Sequence, residues 1–123
     1  MRYNKDLGDF GEAAALKMLQ DKGYRILETK YLTKGGEVDI ICMDKELIVF
    51  VEVKTRSSYK YGYPSEAVNF KKIQHLKRAA ADYFYKNRIN AEVRFDVIEV
   101  CASSISGEYE LSEINHIEGI DVY

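Results

Sequence analysis

The sequence predicts an α/β fold in which a mixed β-sheet lies between helices. Two segments, residues 6–22 and 66–87, carry apolar side chains at helical spacing. The stretches around them are rich in Val, Ile and Phe and alternate as strands do. The resulting order, α-β-β-β-α-β-β, needs layers: a sheet with two apolar faces must be covered on both.

In residues 6–22, Leu7, Phe10, Ala14 and Met18 form one stripe, and Gly23 supplies a helix stop. Residues 24–32 alternate well enough for a strand. Residues 37–43 and 47–54 read as two more, separated by a turn at Asp44-Lys45-Glu46. The second of these is apolar on both faces from Leu47 to Val51, as a central strand should be. Residues 57–65, "SSYKYGYPS", hold the only proline and read as a loop. The helix at 66–87 turns Ile73, Leu76, Ala80 and Tyr83 inward. Residues 92–101 form a strand with Val93, Phe95 and Val97 on one face and Arg94, Asp96 and Ile98 on the other. A weaker strand is expected at 108–117.

The 123 residues fit one domain, 1–123, with enough chain for a core. Hydrophobic residues make up 46% and charged residues 31%, a globular balance. The longest apolar run, Leu47 to Val51, is far too short to span a bilayer. The N-terminus lacks an apolar signal core, so a cytoplasmic location is expected. Cys42 and Cys101 show no metal or disulfide spacing and read as buried free thiols. Net charge is -2, but it is unevenly spread. Residues 54–88 carry nine basic residues against Glu66 and Asp82, whereas residues 89–123 carry eight acids against Arg94. A basic stretch of this kind can attract a polyanion locally, because screening confines its field to about 10 Å. The plain alternative is a solvated helix face.

Four charges, Glu37, Asp39, Glu52 and Lys54, interrupt the apolar strand stretches of "GGEVDIICMDKELIVFVEVKTR". A two-residue turn at Lys45-Glu46 sets Asp39 opposite Glu52 and Glu37 opposite Lys54. Opposed residues share a face, with Cβ atoms about 5 Å apart. Two carboxylates so placed repel unless a proton or cation lies between them. Oxygen ligands without His or Cys favour Mg²⁺ or Mn²⁺. A cross-strand ion-pair ladder is the alternative, but buried pairs seldom repay their desolvation. Glu12 shares a helix face with Leu16 and Leu19, beside Gly8 and Gly11, whose missing side chains would allow close approach. Spacing alone leaves Glu12 equally suited to be an exposed acid in the first helical turns. Lys72, four residues before Leu76, points along the buried stripe. It could reach a phosphate at the sheet or simply cover the core edge.

Asp39, then Glu52-Val53-Lys54, with a glutamate on a preceding helix, resembles the PD-(D/E)xK nucleases, the restriction-endonuclease-like superfamily. The blocks "GDFGEAAALKML", "GYRILETKY", "GGEVDIICMD", "LIVFVEVKTR", "YGYPSEAV", "KKIQHLKRAAADYF" and "VRFDVIEV" look more specifically like the YraN-like family of small predicted endonucleases, relatives of archaeal Holliday-junction resolvases. The resemblance implies a restriction-endonuclease-like three-layer sandwich with a four-stranded mixed core sheet. It implies Asp39 and Glu52 as ligands of Mg²⁺ or Mn²⁺, Glu12 as the helix-borne acid of that metal set, and Lys54 as the active-site lysine. Gly11, Glu37 and Lys72 become site neighbours.

The expected activity is phosphodiester hydrolysis in DNA, with branched and flapped forms among the candidate substrates. Metal bound by the acids would acidify water and polarise the phosphate. Lys54 would stabilise developing charge. Arg56, Lys71, Lys72 and Tyr61 would line the nucleic-acid groove, the tyrosine stacking on unpaired bases. Two symmetric cuts in a junction would favour a homodimer. An accessory protein that binds nucleic acid without cutting it is the alternative.

Overall fold

The computed structural model describes residues 2–57 and 70–120. Its elements follow the expected order: α1 Arg2–Asp21, β1 Arg25–Thr33, β2 Gly36–Asp44, β3 Leu47–Arg56, α2 Phe70–Asn87, β4 Val93–Ile105 and β5 Glu108–Ile117. The loop at residues 58–65 and the first turn expected for the second helix, residues 66–69, lie outside the described residues. No described helix is long and apolar enough to cross a membrane.

The strands form one five-stranded sheet in the order β1-β2-β3-β4-β5, one strand more than the four-stranded core that the resemblance implies. Neighbours run antiparallel except β3 and β4, which are parallel and are joined through α2. Helix α1 covers one face and α2 the other, giving three layers. On the α1 side, Ala15 and Leu19 pack on Ile40, Cys42, Val49, Val51, Val53, Ile98 and Val100. On the α2 side, Leu76, Ala79, Ala80 and Tyr83 pack on Val38, Ile41, Ile48, Phe50 and Phe95. Phe50 is fully buried, with edge-on contact to Tyr83 at 6.0 Å between ring centres. Both cysteines are buried free thiols.

The buried stripe of α1 lies one position round from the expected one. Gly11, Ala15 and Leu19 are buried, whereas Phe10, Ala14 and Met18 flank them half-exposed. Small residues let the helix lie close to β3. A Cβ on Gly11 would overlap Thr55 Oγ1 and come within 2.7 Å of its Cβ and Cγ2. The helix closes with paired bonds, Gly23 N–H to the Gln20 carbonyl and Tyr24 N–H to the Leu19 carbonyl, both 2.9 Å. Gly23 takes φ +90° to make them.

The β2–β3 register is the expected one. Asp44 pairs with Leu47 and Ile40 with Val51, so Lys45-Glu46 is the two-residue turn. Beyond Ile40 the ladder stops. Val38 and Ile40 should share a face, yet Val38 lies in the α2-side core and Ile40 in the α1-side core. The strand therefore reverses its facing at Asp39. Its neighbour β1 does the same: Thr29 pairs with Ile40 and Tyr31 with Val38, while Lys30, between them, has φ +50°. A further irregularity in β1 falls between Ile26 and Glu28.

At the other end of the sheet, charge is buried in a closed network. Asp96, fully buried, accepts from His116 Nε2 (2.7 Å), from Arg94 Nε and Nη2 (both 2.9 Å) and from the Gly119 amide (3.0 Å). Arg94 also reaches Asp44 at 2.9 Å and the Tyr24 hydroxyl at 2.8 Å. Burial alone would raise the Asp96 pKa. The bonds from His116, Arg94 and Gly119 outweigh it and hold the carboxyl below its ordinary value.

Candidate active site

The break in the β2–β3 ladder at Asp39 opens a gap between two central strands, and charged side chains converge on it. Asp39 Oδ2 accepts the Val53 amide at 2.7 Å, so a side chain occupies the place of a backbone acceptor. Because β2 reverses there, Asp39 turns toward α1, where it hydrogen-bonds with Glu12. Glu12, Glu37 and Asp39 each bring one carboxylate oxygen within 4.8 Å of the others. A cleft of about 370 Å³ beside them is lined by Leu7, Gly8, Glu12, Asp39, Val53, Lys54 and Thr55.

Glu52 comes from the other side. It follows Phe50 by two residues and shares its α2-facing side of β3. Its carboxylate meets Lys72 Nζ of α2 at 3.2 Å and Lys54 Nζ at 3.6 Å. The expected arrangement, Asp39 and Glu52 together on one face, is therefore corrected. The register holds, but the reversal at Asp39 moves its carboxylate to the α1 side and brings Glu37, not Glu52, into the three-acid group. Asp39 and Glu52 still feel each other across the gap. Burial pushes the Asp39 pKa up to about 7; the Glu52 charge adds to this, and the Val53 amide works against it. Asp39 is thus poised to hold a proton near neutrality in the metal-free protein.

The donor set fits a hard divalent ion. Mg²⁺–oxygen distances of about 2.1 Å put octahedral ligands roughly 3.0 Å apart when adjacent and 4.2 Å when opposite. A 4.8 Å spread needs only small side-chain movements to reach that. Oxygen-only ligands and the electrostatic strain on Asp39 point the same way.

Among the other expected residues, Gly11 is a contact point between α1 and Thr55. Lys71 and Lys72 line a cleft of about 300 Å³ with Gly35, Gly36, Glu37 and His75. Arg56 is half-buried at the end of β3, beside Cys101. Tyr61 lies outside the described residues. A larger cleft of about 960 Å³ lies at the Lys45-Glu46 turn, away from these groups.

Sequence reasoning missed three residues. Lys30 Nζ bonds Glu12 Oε2 at 2.5 Å and lies 3.7 Å from Asp9 Oδ1. In an edge strand it looks like an ordinary exposed lysine, and nothing in the sequence marks it. His75 Nε2 donates to the Glu37 carbonyl at 3.3 Å, and its ring packs on Gly35 and Gly36. Its position three residues after Lys72, on the same helix face, was the available signal. Glu99 is buried on β4, level with Lys54 in the parallel β3–β4 register. Alternation from Val97 would have placed it on that face.

Residues 11–100 match the family model described as "Uncharacterised protein family UPF0102". The chain belongs to the UPF0102 family. A UPF0102 protein of Alkaliphilus oremlandii is 49% identical over 118 residues, covering 94% of this chain and 97% of the relative. One from Clostridium botulinum strain 657 is 45% identical over 119 residues, with the same coverage. One from Acetivibrio thermocellus is 49% identical over 113 residues, covering 90% of this chain and 87% of the relative. The span of this UPF0102 match, from Gly11 to Val100, includes Glu12, Glu37, Asp39, Glu52, Lys54, Lys72 and Glu99.

Proposed function

We propose that this chain is a metal-dependent endonuclease of the PD-(D/E)xK type that hydrolyses phosphodiester bonds in DNA. One observation carries the reading: three carboxylates gather beside Lys54 where two central strands part, and Asp39 there has a pKa raised to about 7. Acids are assembled this way, against their mutual repulsion, where a cation is to be held.

Glu12, Asp39 and Glu37 would hold Mg²⁺ or Mn²⁺, with Glu52 adding its charge from across the gap. The ion would supply an activated water and a counter-charge for the phosphoryl oxygens. The chain's own groups do the rest. Lys54, tethered at 3.6 Å to Glu52, keeps its ammonium at the cleft and can meet negative charge growing on a phosphate. Its proposed role is electrostatic. Lys71 and Lys72, on the flank formed by Gly35 and Gly36, offer phosphate contacts on the side away from Glu12. Arg56 extends the basic surface along β3. Branched or flapped DNA is the favoured substrate, and a homodimer would allow paired cuts.

One observation favours the accessory reading, in which DNA is bound and not cut. Lys30 neutralises Glu12, while Lys54 and Lys72 neutralise Glu52, so these acids have counter-charges without a metal. A cleavage assay separates the two readings, using duplex, single-stranded, flap and four-way-junction DNA with Mg²⁺ or Mn²⁺. The nuclease reading expects metal-dependent cutting that disappears in Asp39→Asn and falls sharply in Lys54→Met. Binding without cleavage of any substrate would leave the accessory reading standing.

A further inference from the structure

The feature that this function does not absorb is Lys30. A left-handed φ of +50° inside a strand is costly for a residue with a Cβ and persists only where the surrounding structure holds it. What it does to the side chain is visible. With extended geometry, Lys30 would continue the alternation of an edge strand. With left-handed geometry its amine turns to α1, 2.5 Å from Glu12 Oε2 and 3.7 Å from Asp9 Oδ1. Glu12 is also hydrogen-bonded to Asp39, and both oxygens belong to the group that spans 4.8 Å. One positive charge therefore rests against the three-acid group, on the very carboxylate that α1 contributes. Its side chain is 55% exposed while that of Glu12 is 19% exposed, so the amine can leave to solvent while the acid stays.

We propose that Lys30 is a displaceable internal cation: it neutralises Glu12 in the metal-free protein and is expelled when a divalent ion binds, setting the threshold for metal loading. This rests on the metal-dependent reading above. Physically, an ammonium and a metal ion cannot share Glu12 without mutual repulsion, and both need its lone pairs. The contact is worth something only in the metal-free state, so it weakens metal affinity by its own contribution. For a partly exposed ion pair, that is about twofold to fivefold in Kd. The site then fills only where free metal is high enough to compete. Breaking the Lys30–Glu12 bond also frees the ammonium to meet a DNA phosphate at the same mouth.

The test needs no cleavage. Mn²⁺ binding is measured by isothermal titration calorimetry on the full chain, without DNA, for wild type, Lys30→Met and Lys30→Arg. Lys30→Gln replaces the methionine variant if that variant aggregates. Thermal melts follow, with EDTA and with saturating Mn²⁺. The neutral variant should bind Mn²⁺ about twofold to fivefold more tightly. It should also melt lower than wild type in EDTA but level with it when metal-loaded, and the arginine variant should track wild type. Equal or weaker Mn²⁺ binding by the neutral variant would overturn the inference, leaving the nuclease reading intact if wild type binds. The same melting loss with and without metal would also overturn it, because the bond would then survive loading. No Mn²⁺ binding by any of the proteins would sink the metal site and this inference with it.

Discussion

Asp39→Asn in the metal-free protein should change how stability depends on pH, because the native carboxyl holds its proton far longer than the unfolded one. Its pKa rises from 3.8 to about 7 through burial, the charge of Glu52 and the presence of Glu12. Between those values the folded chain keeps a proton that the unfolded chain has released. Stability from this group is therefore fully present below 3.8 and is lost as pH rises through 7. Each unit is worth ~1.4 kcal/mol, so moving from about pH 5 to about pH 8 removes ~3 kcal/mol, or about half of that if water enters as charge develops. Asparagine is isosteric and stays neutral. Its oxygen can accept the Val53 amide, and its NH₂ can donate to Glu12. The variant should lack this part of the pH dependence. Urea unfolding followed by circular dichroism in EDTA, at about pH 5 and about pH 8, should show its advantage over wild type growing by ~1.5–3 kcal/mol toward the higher pH. An advantage that is constant, or shrinks, would mean that the carboxyl ionises freely and that the acid group carries no stored repulsion.

Glu52→Gln should lose about 1–3 kcal/mol, because it leaves Lys54 and Lys72 facing a neutral group at a buried position; a gain in urea midpoint would show that repulsion from Asp39 outweighs both lysines. Gly11→Ala should cost about 1–3 kcal/mol from overlap with Thr55 and should cost less in a Thr55→Gly background, as a double-mutant cycle will read. Asp96→Asn should lose about 3–5 kcal/mol at neutral pH by taking the buried carboxylate from Arg94 and His116. Its deficit should narrow below pH 3.8, since a carboxyl with a lowered pKa gives up its stabilisation as pH falls through that range. Cys42, buried and with its thiol pushed up to about 12, should resist iodoacetamide in the native chain and react at once when it is unfolded.

The element order and the β2–β3 register were legible because their signals are local. Alternation marks the strands, and the Lys45-Glu46 turn fixes the pairing by its length. The position of α1 was read one residue off because counting apolar side chains cannot see Gly11, which is buried for having none. The face of Asp39 was not legible at all. It goes with Lys30, in the neighbouring strand, taking a backbone geometry that lysine gives no sign of favouring. Glu12, which both side chains meet, is distant in sequence, so no window around Lys30 or Asp39 contains their common partner. Glu52, Lys54 and Lys72 could be placed together because strand and helix periodicity both stay regular around them. How the carboxylates divide between the two faces needed the tertiary structure.

The turned-over backbone at Lys30 also bears on what the sheet does toward other chains. Strand β1 is an outer edge, and an edge strand offers unpaired amides and carbonyls to any extended peptide that meets it. A flat, regular β1 would be a template for stacking one molecule on another. Here the edge is irregular between Ile26 and Glu28, and two residues later Lys30 swings the chain through a left-handed step. An incoming strand could match only a few residues before its hydrogen bonds lost step, and it would meet the charges of Glu28 and Lys30 as it did so. The distortion beside the acid group thus makes this edge a poor template for a second strand.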